Sequence, residues 1–451
     1  MQNLAASFFP ISLLFSSLIG SPAIAAESAV RPDQTAFREL YKELVETNTT
    51  LSNGSCTLAA QRMAARLKSA GMPDSQITLF AEPDHPKEGG LVAVYPGTSK
   101  ALKPILAIAH IDVVEAKRED WVRDPFTLIE ENGYLFGRGT LDDKAMAATL
   151  VDTLIRFQRS GYKPKRALKI ALTCGEETNG AFNGAQWLAA NRRDLIDAEF
   201  ALNEGGGGTS DGKGKVVGQA IQVGEKTFVT YRLEARNPGG HSSAPRPDNA
   251  IYELAHALIA IEAHEFPIEM SDTTRTYFRE AGAGRNDVTG RAMVDLAGDL
   301  SNKEAEAIVN KDPFLHSNLR TTCVATMLDG GHARNALAQR AGAYVNCRIF
   351  PGHSVEAIRA QLASIIAHPG ITVTAVPPLR PTPPPPPLAP NVLAPAKALA
   401  AKYFPGVPVV PSMANGYTDA TFSIAIPTTC PRSDTSEARR RAAGIRPAGT
   451  V

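Results

Sequence analysis

The sequence has 451 residues, 43% of them hydrophobic and 21% charged, with a formal net charge of +1. That length is long for one domain and comfortable for two, and the composition can bury a real core. Near-neutral charge without a sustained basic face makes nucleic acid and acidic membrane poor partners.

The first residues read as a secretory signal. "LAASFFPISLLFSSLIG" is an apolar stretch too short to span a bilayer comfortably, and "SPAIAAE" offers small residues in an A-x-A pattern. Residues 1–26 are therefore expected to be removed on export to the periplasm or the medium, leaving no membrane attachment; a retained membrane anchor is the plainer alternative. One feature departs from the pattern: no Lys or Arg precedes the apolar stretch. Cys56, Cys174, Cys323, Cys347 and Cys430 show no C-x-x-C spacing, so neither a zinc finger nor a redox motif is expected. An exported chain can pair some of them. The sequence leaves the pairing open, including that of Cys323 and Cys347, which lie in neighbouring apolar runs.

From about residue 34 the pattern is mixed. "AFRELYKELVE" and "TLAAQRMAARLKSAG" have helical spacing, the second closed by Gly71. "GLVAVYPG" and "KPILAIAHID" read as buried strands. Helix "DKAMAATLVDTLIRFQRSGY" ends at Gly161, and strand "RALKIALTC", helix "AFNGAQWLAANRR" and strand "AEFALNE" follow. This alternation predicts an α/β domain with a mostly parallel sheet flanked by helices. Near residue 221 the character changes. "AIQVGEKTFVTYRLEAR" reads as an alternating strand, and two helices among about four strands make a small α+β domain over 221–377. "PPLRPTPPPPPLAP" is a stiff extended spacer returning the chain to the first domain. The expected organisation is a signal over 1–26, a catalytic domain over 27–220 and 378–428, the insertion between them, and a tail over 429–451. "GGTSDGK" has phosphate-loop spacing, but Gly214 stands where Ser or Thr is needed, and it reads as a flexible loop.

Polar residues recur at the ends of these units. His110 and Asp112 follow "ILAIA", Asp142 opens a helix, Glu176 and Glu177 follow "KIALT", and Glu204 follows "FALN". They are about 30 residues apart, the length of a strand-plus-helix unit, so they gather along the carboxyl edge of one sheet, where such sheets bind ligands. One His with several carboxylates and no Cys suits Zn²⁺ or a similar divalent ion. In an extended segment, Glu176 and Glu177 point in opposite directions. One of the pair can ligate while the other serves as a general base.

"AHIDVV", "WVRDPF", "GYLFGRGTLDDKA", "GEETNG" and "NEGG" closely resemble the motifs of the M20 zinc peptidases and amidohydrolases. In the insertion, "NPGGHSSAPRPDNAI" and "GGHARNALAQRAGAYVNCRIFPG" match as well. The resemblance implies a phosphorylase/hydrolase-like catalytic domain with a ferredoxin-like lid that also dimerises. It implies two zinc ions bridged by Asp142, with His110 and Glu204 completing one site, and Glu177 and a C-terminal histidine completing the other. Glu176 is then the base, and Asp112 holds the His110 ring. His241 binds the developing oxyanion, often across a dimer interface, while Asn335 and Arg348 bind substrate near its carboxylate. For each of these three a plainer role stays open: His241 capping a Gly-rich turn, Asn335 making one, Arg348 as a surface charge. The implied activity is amide hydrolysis, first as a carboxypeptidase on small peptides, and otherwise as an N-acyl-amino-acid deacylase or dipeptidase. A homologue that folds and dimerises without turnover is the reading from another class.

The end of the sequence departs from the family pattern. Members continue past "GYTDATFSIAIPT" to a Gly-rich turn and the last zinc histidine. Here the resemblance stops at about Thr428, and "TCPRSDTSEARRRAAGIRPAGTV" follows, with five arginines; no histidine occurs after His368. The tail has the composition that a GC-rich gene yields in the wrong frame, and is expected to be disordered. A genuine divergent tail would offer only Cys430, Asp434 or Glu437 as substitute ligands. The second site then keeps only Asp142 and Glu177, too few for stable zinc. The expectation is one tightly held zinc and weak or absent activity.

Overall fold

The computed structural model describes residues 31–178, 181–210, 215–382 and 387–423. The expected signal at 1–26 and the tail from 429, with Cys430, lie outside these residues. Among the described residues no helix is long and apolar enough to cross a membrane.

A five-stranded sheet organises the first part of the chain. In spatial order its strands are Ile77–Glu82, His85–Tyr95, Leu168–Thr173, Ile105–His110 and Phe200–Leu202. The last three run parallel; the first two form an antiparallel hairpin that joins Leu168–Thr173. Apolar periodicity gives no warning of Ile77–Glu82, because only Phe80 of its six residues is buried. Helices cover both faces of the central strands, which is why those strands read as unbroken apolar runs. Ala107, Ala109, Ile170 and Leu172 face Leu44, Met63, Val151 and Leu154 of helices Pro32–Glu46, Cys56–Ser69 and Lys144–Ser160. Leu106, Ile108 and Ala171 point the other way, against Leu188 and Ile196. Gly161, at φ 63°, closes helix Lys144–Ser160 in the left-handed conformation.

Two sequence expectations change where the chain leaves this body. "AIQVGEKTFVTYRLEAR" is two strands divided at Lys226, and residues 221–225, expected in the insertion, pair in parallel with Val409–Ala414. Gly207–Ser210, expected as a loop, is an edge strand on Val216–Glu225. Its two glycines contribute no side chains, and the backbone ladder to Val216–Glu225 carries the pairing there.

Thr227–Arg236 opens a four-stranded antiparallel sheet in the order Thr322–Gly330, Arg340–Ile349, Thr227–Arg236, Ile371–Ala375. Buried residues alternate along Thr227–Arg236, the period of a sheet covered on one side. Helices Ala250–Ala263 and Val355–Ile366 supply that cover, giving the βαββαβ order of a ferredoxin-like unit. A disulfide joins Cys323 to Cys347 on neighbouring strands, and another joins Cys56 to Cys174.

Four further helices, Asp272–Ala283, Val288–Gly298, Lys303–Val309 and Pro313–Asn318, close on a core of their own around Phe278, Met293, Leu296 and Leu315. Their signal was local. Ser271, Asp287, Asn302 and Asp312 each accept a backbone N–H at the start of the following helix, as N-caps do. Helix Asp272–Ala283 also lies on strand Val409–Ala414. Arg320, 1% exposed, ties this unit to the chain before it. It donates to Glu265 at 2.9 Å, to Glu306 at 2.9 Å and to Asn310 at 3.2 Å. Arg320→Ala leaves a cavity and takes from Glu306 its buried partner, leaving it only exposed Lys303, and is expected to cost about 3 kcal/mol, read as a lower urea midpoint. Lys303→Ala, which breaks an exposed pair with the same Glu306, is expected to cost under about 1 kcal/mol.

Candidate metal centre

Strand register sets the site. His110 ends its strand opposite Thr173 of the neighbouring strand, so Glu176 and Glu177 emerge just beyond it. Ala107 pairs with Leu202 on the other side, which brings Glu204 to the same edge. Asp142 and Asp143 arrive from the loop that starts helix Lys144–Ser160.

His110 is 2% exposed. Its Nε2 lies 2.8 Å from Asp142 Oδ1 and 3.7 Å from Glu204 Oε2. Its Nδ1 lies 3.2 Å from the Asp112 carbonyl oxygen and 3.5 Å from Asp112 Oδ1. The Asp112 carboxylate accepts the backbone N–H groups of Glu176 at 3.3 Å and Glu177 at 3.0 Å. One buried side chain thus orients both the imidazole and the two-glutamate turn. Buried Lys144 donates to the Thr47 carbonyl at 2.8 Å; burial lowers its ammonium to about 7, and nearby Asp112 opposes that shift.

Two groups have ligand atoms within 4.8 Å of one another: His110, Asp142 and Glu177; and His110, Asp143 and Glu204. The four expected ligands therefore come together, and Asp143 joins them. The sequence pattern points only to the first of the two adjacent aspartates in "LDDKA". The Asp143 side chain makes no cap bond to its helix, and its buried Oδ2 has no hydrogen-bond partner among the described residues.

The electrostatics call for a cation. Burial opposes charge on His110, but Asp112, Asp142 and Glu204 outweigh it and hold the imidazole well above its usual range. Burial pushes Glu176 up to about 9 and Asp143 up to about 8. Burial and Asp142 also raise Glu177, while the hydrogen bond from His110 lowers Asp142. Protein atoms alone leave this cluster holding protons that a divalent ion displaces. One imidazole with several carboxylates, one of them orphaned, fits Zn²⁺ or a similar ion.

The lid residues lie apart from the cluster. His241 and Ala336 pair in a two-stranded ribbon, and Ser242 donates its N–H to the Asn335 carbonyl at 3.0 Å. His241 Nδ1 accepts the Ser243 N–H at 3.2 Å, which leaves Nε2 as the N–H donor. Neither His241 nor Asn335 bonds to the carboxylate cluster among the described residues. Arg348 stacks 4.7 Å from the centre of the Phe228 ring and pairs with no carboxylate among the described residues. Two cations that sequence patterns did not flag share its surroundings. Lys226 is buried, donates to Ser317 Oγ at 3.2 Å and is lowered to about 7 by burial, Arg348 and Arg320. Arg380, from the proline-rich segment, lies 3.2 Å from the centre of the Tyr417 ring and 5.9 Å from that of Phe228.

A carboxylate-lined sheet edge with a ferredoxin-like insertion defines a two-domain metallohydrolase. Residues 106–437 match the profile of Peptidase family M20/M25/M40, and the chain belongs to that family. Human N-fatty-acyl-amino acid synthase/hydrolase PM20D1 is 28% identical over 343 residues, which cover 75% of this chain and 67% of that protein. Probable carboxypeptidase S-like 2 of Dictyostelium discoideum is 30% identical over 276 residues, 59% of this chain and 52% of that protein. The alignments thus span between about half and two thirds of these relatives. The M20 family metallo-carboxypeptidase Sso-CP2 from Sulfolobus solfataricus shares the fold, with a TM-score of 0.60 at 18% identity, over 87% of this chain and 88% of that one.

The raised groups set a pH dependence. Glu176 holds its proton up to about 9 when folded against 4.5 ordinarily, and His110 is raised from 6.5. A group that binds protons more tightly in the folded state contributes stability below its unfolded pKa and loses it as pH rises. The metal-free protein is therefore expected to lose stability as pH rises from about 4.5 to about 9. Added Zn²⁺ is expected to reverse the loss with release of protons. Thermal melts across that range, with and without chelator, measure both effects.

Proposed function

We propose that this chain hydrolyses an amide bond beside a free carboxylate, as a carboxypeptidase on small peptides, with Zn²⁺ as its metal and Glu176 as general base. The observation that carries the reading is the Glu176–Glu177 turn. Asp112 fixes both backbone N–H groups, Glu177 joins His110 and Asp142, and Glu176 stands outside both ligand groups. His110, Asp142, Glu177 and Glu204, with Asp143 beside them, would hold the ion, which when bound polarises a carbonyl and acidifies a water. Glu176 accepts the proton of the attacking water and delivers it to the departing amine. Arg348, stacked on Phe228 and without a carboxylate partner among the described residues, suits the substrate carboxylate. Asn335 suits the same end of the substrate, and His241, donating through Nε2, suits the oxyanion. A second reading, N-acyl-amino-acid hydrolysis, is favoured by the likeness to the human N-fatty-acyl-amino acid synthase/hydrolase. Both reactions share the carboxylate-bearing half of the substrate. Two disulfides support the reading of an exported protein.

Purified protein is expected to bind zinc through His110, Asp142, Asp143, Glu177 and Glu204, since three or four ligands make a stable site, and the number of ions per chain is read by elemental analysis. Glu176→Gln should keep that zinc and lose at least about 100-fold in rate. Near-parental turnover in the variant would remove Glu176 from the chemistry. A parent with bound zinc and no turnover on peptides or acyl amino acids would identify an inactive homologue.

We also infer a homodimer through the inserted domain. Strand Thr322–Gly330 lies at the edge of its sheet with exposed Val324, Met327 and Leu328. Exposed Ile251, Tyr252 and Ile259 lie on helix Ala250–Ala263, with Ile251 beside Gly330. An open apolar edge of this kind is a template for a second strand. Light scattering at micromolar concentration should give twice the chain mass, and Leu328→Asp should give the monomer.

A further inference from the structure

Asp419 has no part in the chemistry described above. It is 1% exposed, and its two oxygens are used separately. Oδ2 accepts from Thr173 Oγ1 at 2.8 Å, across 246 residues of chain, and Oδ1 accepts from Asn183 Nδ2 at 2.7 Å. The Asn183 amide has one permitted orientation, because its Oδ1 accepts the Gln186 N–H at 2.8 Å. Its Nδ2 is therefore the donor, shared between Asp419 and the Gly175 carbonyl at 3.1 Å. Gly184 N–H adds a bond to the Cys174 carbonyl at 2.7 Å. These contacts fall on Thr173, Cys174 and Gly175, the three residues before Glu176. Gly175 sits at φ +94°, and a Cβ there would lie 1.8 Å from the Phe182 carbonyl oxygen, so the turn rests directly on the Asn183 segment. Burying a carboxylate costs free energy even when it is hydrogen-bonded, and burial pushes Asp419 up to about 6. An apolar side chain would fill the space without that cost. What the carboxylate adds is direction, two acceptors aimed at two donors.

We propose that Asp419 is a positioning residue for Glu176, fixing the Thr173–Glu176 turn through Thr173 and Asn183 while Asp112 holds the same turn from its other side. The inference rests on the reading of Glu176 as general base for its consequence in rate, but not for its geometry. The test compares Asp419→Asn with Thr173→Val and with the double variant in the full chain. Thr173→Val removes the hydroxyl that donates to Asp419 Oδ2 and leaves the Asn183 bonds to Gly175 and to its helix in place, so the pair forms a double-mutant cycle.

In Asp419→Asn, hydrogen exchange at the Glu176 and Glu177 amides should quicken by at least about tenfold. Strand Ile105–His110, the lid and the bound zinc should not change. Any turnover should fall about 10–100-fold in kcat, the usual cost of losing an orienting partner, with KM unchanged. Thr173→Val should quicken the same amides, and the double variant should add little to Asp419→Asn in exchange or in kcat. Parental exchange in Asp419→Asn overturns the proposal. So does a variant that fails to fold or to bind zinc, or a double variant in which the two losses simply add, since Asp419 is then only a strut of the fold. Glu176→Gln separates the two readings. If it keeps turnover while Asp419→Asn still loosens the turn, the base assignment fails and the positioning role stands.

Discussion

Asp112, Asp142, Asp143, Glu177 and Glu204 are held around one buried imidazole, and their mutual repulsion in a poorly solvated site is the constraint on which the rest depends. Such a cluster has two ways to exist. It keeps protons, as the raised carboxyls of Glu176 and Asp143 do in protein atoms alone, or it takes a cation. Either way the scaffold must resist a tendency to fly apart. It does so with the ends of three parallel strands and the turn that leads into a long helix.

Geometry follows from those strands. A strand buried on both faces cannot slip by one residue without turning its apolar side chains out of two cores. The register of His110 against Thr173 is thus set by Ala107, Ala109, Leu106 and Ile108 far more than by the site itself. Asp112 converts strand register into side-chain direction, since it touches the imidazole and both glutamate amides.

Much of this was legible in the sequence because it is local. His110, Asp142, Glu177 and Glu204 each follow a strand or open a helix, and periodicity finds such places. The inserted βαββαβ unit was legible for the same reason. What escaped depends on distant partners. Nothing near Asp419 says that it will meet Thr173, and nothing near Lys226 says that it will be buried against Ser317. The break at Lys226 was hidden because the strands on either side alternate alike. The four-helix unit was hidden because each helix is short and the core it helps to close is separate from that of the lid sheet. The bond between Cys323 and Cys347 follows from their facing register, which no count of cysteines supplies.

That four-helix unit belongs by sequence to the lid and by packing to its neighbour. Helix Asp272–Ala283 rests on Val409–Ala414, a strand of the sheet that precedes Lys226. Arg320 meanwhile fastens the unit to Glu265, close to where the lid helix ends. The unit therefore covers the Val409–Ala414 strand and belongs with the frame. What stands apart is smaller than the insertion, the βαββαβ unit alone, and the chain enters and leaves it at Lys226, around Glu265 and Arg320, and along the Pro377–Pro381 segment.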